Sequence, residues 1–253
     1  MLAIDLKGKL ALVTGASGNL GSCIAETLAK GGADVIVHYH KNATKAAEVV
    51  ERVKAQGVRA MAIQADITQK EAVYCMQQEI EKTMGQPDII VNNSVVQYAW
   101  TSVLEQPLED YESQFQSCVM QNVLMAKAFV PAMIQKGYGR IIAINTECSI
   151  QAFETQSAYV AGKKGMDGLL RVLAKEIGPY GITVNQVAPG WTIGEKERCQ
   201  KAEDEAYVKG IPLRRRSEDK DIAQAVAFLA SDLAGMITGV YLPVCGGNVM
   251  PGL

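Results

Sequence analysis

Short, dense apolar runs alternate with longer stretches whose apolar residues recur every three or four positions, and this rhythm spans nearly the whole chain. Residues 10–13, 34–39, 60–64, 89–91, 140–145, 182–187 and 239–244 read as strands. Runs so rich in Val, Ile and Ala suit strands covered on both faces. Residues 20–30, 43–56, 108–135, 157–177 and 218–230 read as helices, the third of these continuing across Pro131. One more runs from Thr68, its expected cap, to about Met84. Gly31-Gly32 and Gly57 close the first two. Strands separated by helices demand a parallel sheet with right-handed crossovers and helices on each side. No proline- or serine-rich linker and no repeat divides the 253 residues, so one doubly wound α/β domain over 1–253 is expected. Ligands of such sheets bind beyond the carboxyl ends of the strands. The segments after each strand therefore carry the functional signal.

Several classes of function are disfavoured at once. The net charge is −2 and the pI about 5.8, so neither nucleic acid nor an anionic membrane is an expected partner. Arg214-Arg215-Arg216 is too short a basic run to change this and reads as a solvated loop. The six cysteines form no C-x-x-C pair and have only His38 and His40 as soft companions, so no metal site is expected. The first residues show no signal-peptide pattern, and no uninterrupted apolar stretch is long enough to cross a bilayer. A reducing cytoplasm with free thiols is expected.

After the first strand comes Thr14-Gly15-Ala16-Ser17-Gly18-Asn19-Leu20-Gly21, opening a helix. Glycines allow a tight turn and close approach to a pyrophosphate, and the helix start offers it free N–H groups and positive partial charge. The second strand ends His38-Tyr39-His40-Lys41-Asn42, without the acid that usually accepts bonds from a ribose 2′-hydroxyl. His40 and Lys41 suit a 2′-phosphate instead, which favours NADP(H) over NAD(H). Tyr159 and Lys163 lie four residues apart on one helix and so share a face. A phenol ionises near pH 10, and a nearby ammonium lowers that value. Such a pair could protonate a carbonyl oxygen or take a proton from an alcohol.

These motifs, with Asp66-Ile67, Asn92-Asn93, Asn122, Pro189-Gly190 and the stretch from Asp221 to Gly247, make the chain resemble the compact short-chain dehydrogenase/reductases from Lys7 to about Met250. The resemblance implies a Rossmann fold with a seven-stranded parallel sheet in the order 3-2-1-4-5-6-7. It implies Tyr159 as general acid/base, Lys163 on the nicotinamide ribose and lowering the tyrosine pKa, and Asn122 holding a relay water. Gly15, Ser17, Gly18, Asn19, Leu20 and Gly21 would hold the pyrophosphate, and Tyr39, His40 and Lys41 the adenosine ribose. Asp66 and Ile67 would meet the adenine, Asn92 would shape the cofactor floor, and Pro189, Gly190 and Thr192 would hold the nicotinamide amide. Residues 192–211 would form a substrate lid. Members of this kind are most often homotetramers, sometimes dimers, with the last strand at an assembly edge.

The family pattern is broken in places. Its catalytic serine falls at Thr146, with Ser149 three residues late; Thr keeps a hydroxyl but stiffens the side chain. The second glycine of the turn is Asn19, which tolerates a left-handed backbone. Val95 stands where the pattern has glycine, and Cys245 where it has an acid. Cys148 falls near the substrate side and is expected to be an inert thiol. The leading expectation is an NADP(H)-dependent carbonyl reductase or alcohol dehydrogenase for a partly apolar small molecule, given Tyr98, Trp100, Phe153 and Trp191. A 3-oxoacyl-[acyl-carrier-protein] reductase is the alternative, although its basic docking positions fall at Gly137 and Tyr180, with only Lys136 and Arg140 nearby. An alternative of another class is a cofactor-binding sensor or scaffold with weak catalysis.

Overall fold

The computed structural model describes residues 4–193 and 205–251. Seven strands form one sheet: β1 (Leu10–Val13), β2 (Asp34–Tyr39), β3 (Ala60–Gln64), β4 (Ile89–Asn92), β5 (Gly139–Ile144), β6 (Ile182–Pro189) and β7 (Tyr241–Val244). Every pairing is parallel and the order is β3-β2-β1-β4-β5-β6-β7, as the resemblance implied. The order reverses between β1 and β4, which opens a crevice at their carboxyl ends.

Strand residues alternate between two cores, because successive side chains point to opposite faces. Val13, Val35, Val37, Val91 and Ile142 pack under α1 (Asn19–Lys30), α2 (Ala43–Lys54) and, further along the chain, Asp219–Ala230. Leu12, Ile36, Ile90, Ile141 and Val184 pack under α3 (Lys70–Thr83) and the helices between β4 and β6. Those helices are α5 (Gln121–Lys136) and α7 (Ser157–Ile177), with α4 (Leu108–Gln114) and α6 (Cys148–Gln151) packed against α7. The last two helices are α8 (Glu205–Gly210) and α9 (Asp219–Ala230).

Local chemistry departs from the expectations at two places. Thr68 does not cap α3: its hydroxyl donates to Asp66 Oδ1 at 2.7 Å, and the helix starts after Gln69 with no side-chain cap. The expected helix over 108–135 is interrupted by a π-helical segment, Phe115–Met120, which joins α4 to α5. Such segments shift the register of the side chains that follow and recur at functional sites. The helical run Leu108–Lys136, although interrupted by charged residues, is long and apolar enough to cross a membrane by length and composition alone. Its apolar residues Leu124, Met125, Phe129 and Met133 instead pack into the core under the sheet.

Candidate active site

The loops after β1 to β6 surround one cleft of about 1010 Å³. Gly15, Ser17, Gly18, Asn19, Leu20 and Gly21 line it, as do His40, Lys41, Asp66 and Ile67. Thr146, Tyr159, Lys163, Pro189 and Gly190 line it as well. Of the predicted residues, Tyr39, Asn92, Asn122 and Thr192 are not in the wall. Tyr39 packs against the core beneath α1 and α2. Thr192 bonds Gly190 O and Ser217 Oγ. The expected lid over 192–211 falls partly on 194–204, outside the described residues.

The glycine turn closes on itself through the Gly18 N–H, which donates to Gly15 O at 3.0 Å, and is fixed in place by its neighbours. Gly15 has φ +64°, a left-handed conformation that favours glycine, and a Cβ there would meet Ser94 Oγ at 2.8 Å. At Gly21 a Cβ would lie 2.4 Å from the Gly15 carbonyl oxygen, so the turn and α1 can touch only through glycine. Gly18 caps α1 without a side-chain bond, which leaves first-turn N–H groups for another acceptor. Thr14 Oγ1 accepts from the N–H groups of Asn93 and Ser94 at 2.9 and 3.1 Å, tying the turn to the end of β4. His38 ties it to β2 and β3: its Nδ1 accepts from Gly15 N at 3.0 Å, and its Nε2 donates to Ala65 O at 3.1 Å. Burial pulls the His38 pKa down to about 4, so the ring is neutral at pH 7 and can accept that bond.

Beside this turn, His40 and Lys41 are exposed, and His40 Nε2 lies 3.9 Å from Asp66 Oδ2. Burial pushes the Asp66 carboxyl up, but the Thr68 hydroxyl and N–H bonds together bring it below its usual value.

At the other end, β5 delivers Thr146 and α7 delivers Tyr159 and Lys163. Tyr159 donates its backbone N–H to Tyr98 Oη at 2.7 Å, and Trp100 stacks on its ring at 6.5 Å between centroids. Lys163 Nζ lies 5.7 Å from the Tyr159 ring centre and donates to Ile144 O at 2.6 Å. Burial lowers the Lys163 pKa. Burial also raises the Tyr159 pKa, and a hydrogen bond with Thr146 only partly opposes it. The lowering expected from the Tyr-Lys spacing is thus not the net result, because burial dominates the shift. Ser149 is no rival for Thr146, since its buried hydroxyl donates to Thr146 O and meets Tyr241 Oη, both at 3.0 Å.

Behind the wall, Asn92 Nδ2 donates to Asn122 Oδ1 at 2.6 Å, and Asn122 Nδ2 donates to Cys118 O at 2.7 Å. Both are buried, and Asn92 Oδ1 has no partner among the described residues. The Cys148 thiol is pushed up by burial, which suits an inert thiol. Two roles escaped the sequence reading: the His38 brace of the turn and the buried contacts of Glu147. The only signal for His38 was a polar residue late in an otherwise apolar strand. Glu147 adjoins Thr146, and its buried carboxylate reaches other loops.

The family model described as Enoyl-(Acyl carrier protein) reductase matches residues 15–248. The 3-oxoacyl-[acyl-carrier-protein] reductase FabG of Pseudomonas aeruginosa is 35% identical over 98% of this chain and 100% of its own. That of Staphylococcus epidermidis is 36% identical over 96% and 99%. The chain belongs to the short-chain dehydrogenase/reductase family. Among solved structures, the promiscuous reductase LugOII, which catalyses a keto-reduction, matches with TM-score 0.87 and 31% identity over 97% of this chain and 99% of that one. An NAD⁺-bound xylitol dehydrogenase matches with TM-score 0.89 and 28% identity over 96% and 99%. As a short-chain dehydrogenase/reductase, this protein is an oxidoreductase.

Proposed function

We propose that the protein reduces a small, partly apolar carbonyl compound, or oxidises the matching secondary alcohol, with NADP(H). The observation that carries this reading is the meeting of Thr146, Tyr159 and Lys163 in the same cleft as the glycine turn. The residues fit a dinucleotide: the cleft has room for one, and glycine is required where the turn meets α1. No acid ends β2, and the exposed His40 and Lys41 suit a 2′-phosphate.

NADPH supplies a hydride when bound. The turn and first N–H groups of α1 would hold its pyrophosphate, Asp66 and Ile67 its adenine, and the Pro189 to Thr192 backbone its amide. Asn92 would support the floor from behind, and Lys163 would hold ribose hydroxyls. Thr146 holds the substrate oxygen by its hydroxyl. Tyr159, kept protonated by burial, gives its phenolic proton to that oxygen as the carbonyl becomes an alcohol. Lys163 stabilises the phenolate left behind, and Asn122 holds a water through which the proton returns.

The test follows absorbance of the nicotinamide with a carbonyl and alcohol panel, using both NADPH and NADH. Turnover with NADPH that Tyr159→Phe lowers by roughly 1000-fold supports the reading. Turnover surviving in Tyr159→Phe, or NADPH binding without oxidation of any of it, refutes it; the second outcome would favour a sensor. A 3-oxoacyl thioester on a carrier protein is a second reading, favoured by the FabG relatives. Against it, Lys136 pairs with Asp88, and the Arg140 side chain is buried and paired with Asp232 at 3.1 Å. Neither is free for an acidic partner. Faster turnover of acetoacetyl thioester than of simple ketones would reverse the order of the two. A cytoplasmic location and a homotetramer or dimer assembled along β7 go with this reading, and sedimentation of the purified protein checks the assembly.

A further inference from the structure

Glu147 follows Thr146 directly, and it is 2% exposed. A carboxylate removed from water is costly unless donors meet it. Here each oxygen has one. Tyr207 on α8 donates its hydroxyl to Oε1 at 2.5 Å, and Asn248 beyond β7 donates from Nδ2 to Oε2 at 3.0 Å. The Tyr207 oxygen also accepts from the backbone N–H of Trp191 at 2.8 Å. One carboxylate thus joins four segments: the turn after β5, the segment after β6, α8 and the C-terminal turn. Gly190 lies among them. A Cβ there would come within 2.9 Å of Tyr207 Oη, 3.1 Å of Glu147 Oε2 and 3.1 Å of Cys245 Cβ. The knot therefore closes only around a glycine. Its burial and the bond to Glu147 both keep the Tyr207 phenol protonated, as a donor must be.

The knot fixes the indole that follows Gly190. The Tyr207 ring meets Trp191 edge-on, with centroids 5.5 Å apart and planes at 74°. Arg216 lies over the same indole at 4.6 Å and donates from Nε to Trp191 O at 2.8 Å. Although held this way, Trp191 remains 50% exposed. It offers a flat apolar surface next to Gly190, which lines the cleft. Glu147 follows Thr146 directly, so the bonds that hold Trp191 are anchored on the turn that carries the Thr146 hydroxyl.

We infer that Glu147 and Tyr207 are positioning residues that hold Trp191 as a wall for the apolar part of the carbonyl substrate. They act through Trp191 and do not touch the reacting atoms. This rests on the reading of Thr146 as the group that holds the substrate oxygen. A wall present both before and during reaction contributes uniform binding, which appears in KM and not in kcat.

Tyr207→Phe is the direct test, since it keeps the ring beside Trp191 and removes only the hydroxyl. Its KM for an apolar ketone is expected to rise roughly tenfold, with kcat within about twofold, as for loss of one hydrogen bond to a charged acceptor. Glu147→Gln, which keeps the shape and one acceptor, should fall between wild type and Glu147→Val. A second measurement needs no turnover. The chain has two tryptophans, so a Trp100→Phe background reports on Trp191 alone. Acrylamide quenching of its fluorescence should then increase in Tyr207→Phe. Unchanged KM with unchanged quenching would overturn the inference, as would a fall in kcat at constant KM, which would place these residues in the chemistry. Should wild type reduce no carbonyl, the reading of the site has failed, and the quenching result still decides whether the knot holds the indole.

Discussion

Acidification should unfasten the glycine turn through His38. The folded protein holds its pKa down from 6.5 to about 4, with burial as the main cause. Between those values the unfolded chain binds a proton at this position and the folded chain does not. Stability therefore falls as the pH drops from 6.5 towards 4 and levels off, for this group, below that. At about 1.4 kcal/mol per pH unit, the full window amounts to roughly 3 kcal/mol, a substantial fraction of a domain's stability. The geometry supplies the reason: a protonated ring would present an N–H to the Gly15 N–H that it now accepts from at 3.0 Å. The bond to Ala65 O would survive, so the loss is local to the turn.

Carboxylates titrate in the lower part of this range too, and a comparison with His38→Gln removes their contribution. Glutamine can accept one bond and donate one but cannot take up a proton. Urea unfolding of both proteins, followed by far-UV circular dichroism at pH 7.5, 6.5, 5.5 and 4.5, gives the two stability curves. The wild type should lose roughly 2 to 3 kcal/mol more than His38→Gln between pH 6.5 and 4.5. Its NADPH affinity should weaken over the same interval while that of the variant changes less. Parallel stability curves would refute the reasoning, because they would mean that His38 keeps its ordinary pKa in the folded state.

Three further outcomes are expected. Thr146→Ala should lower kcat roughly 100-fold while Thr146→Ser stays within several-fold of wild type, in steady-state assays with the best ketone of the panel; equal activity of Thr146→Ala would remove Thr146 from the chemistry. Lys41→Glu should weaken NADPH roughly tenfold or more and leave NADH nearly unchanged, measured by fluorescence titration of the reduced cofactors; equal losses for both would show that Lys41 does not read the 2′-phosphate. In Gly21→Ala, the new methyl would stand 2.4 Å from the Gly15 carbonyl, so the turn must shift. A loss of about 1–3 kcal/mol in stability and a weaker NADPH Kd should appear together in melting and titration.

The sheet was legible in the sequence because burial on both faces leaves a pattern that no helix produces at that length. Leu12 and Val13 belong to opposite cores, yet both are apolar, and so are Ile90 and Val91. The glycine turn was legible for a similar local reason, since Gly15 and Gly21 have no room for a side chain. What the sequence hid was set by specific side-chain pairings, some of them far along the chain. Thr68 looks like a helix cap until Asp66 takes its hydroxyl. The π segment Phe115–Met120 was hidden because its one-residue register shift is small within a long run that reads as a single helix. His38 reads as a strand residue until its ring is seen between Gly15 and Ala65. Glu147 reads as a loop acid until Tyr207 and Asn248 meet it across 60 and 101 positions.

Tyr159 shows most sharply where local spacing stops being informative. Four residues along a helix place Lys163 on the same face, and that much was correct. The sign of the pKa shift is decided elsewhere. Lys163 spends a bond on Ile144 O, and the packing around the two side chains penalises each charged form. For an acid that must give a proton to a carbonyl oxygen, a raised pKa is no defect, because the phenol arrives protonated at neutral pH. For a base that must take a proton from an alcohol it is a handicap, which only a higher pH or added positive charge beside the phenol relieves. The same burial that contradicts the simple Tyr-Lys argument therefore favours reduction at pH 7. Alcohol oxidation should accelerate as the pH rises, and a reduction rate that rose along with it would show that Tyr159 is not the proton donor.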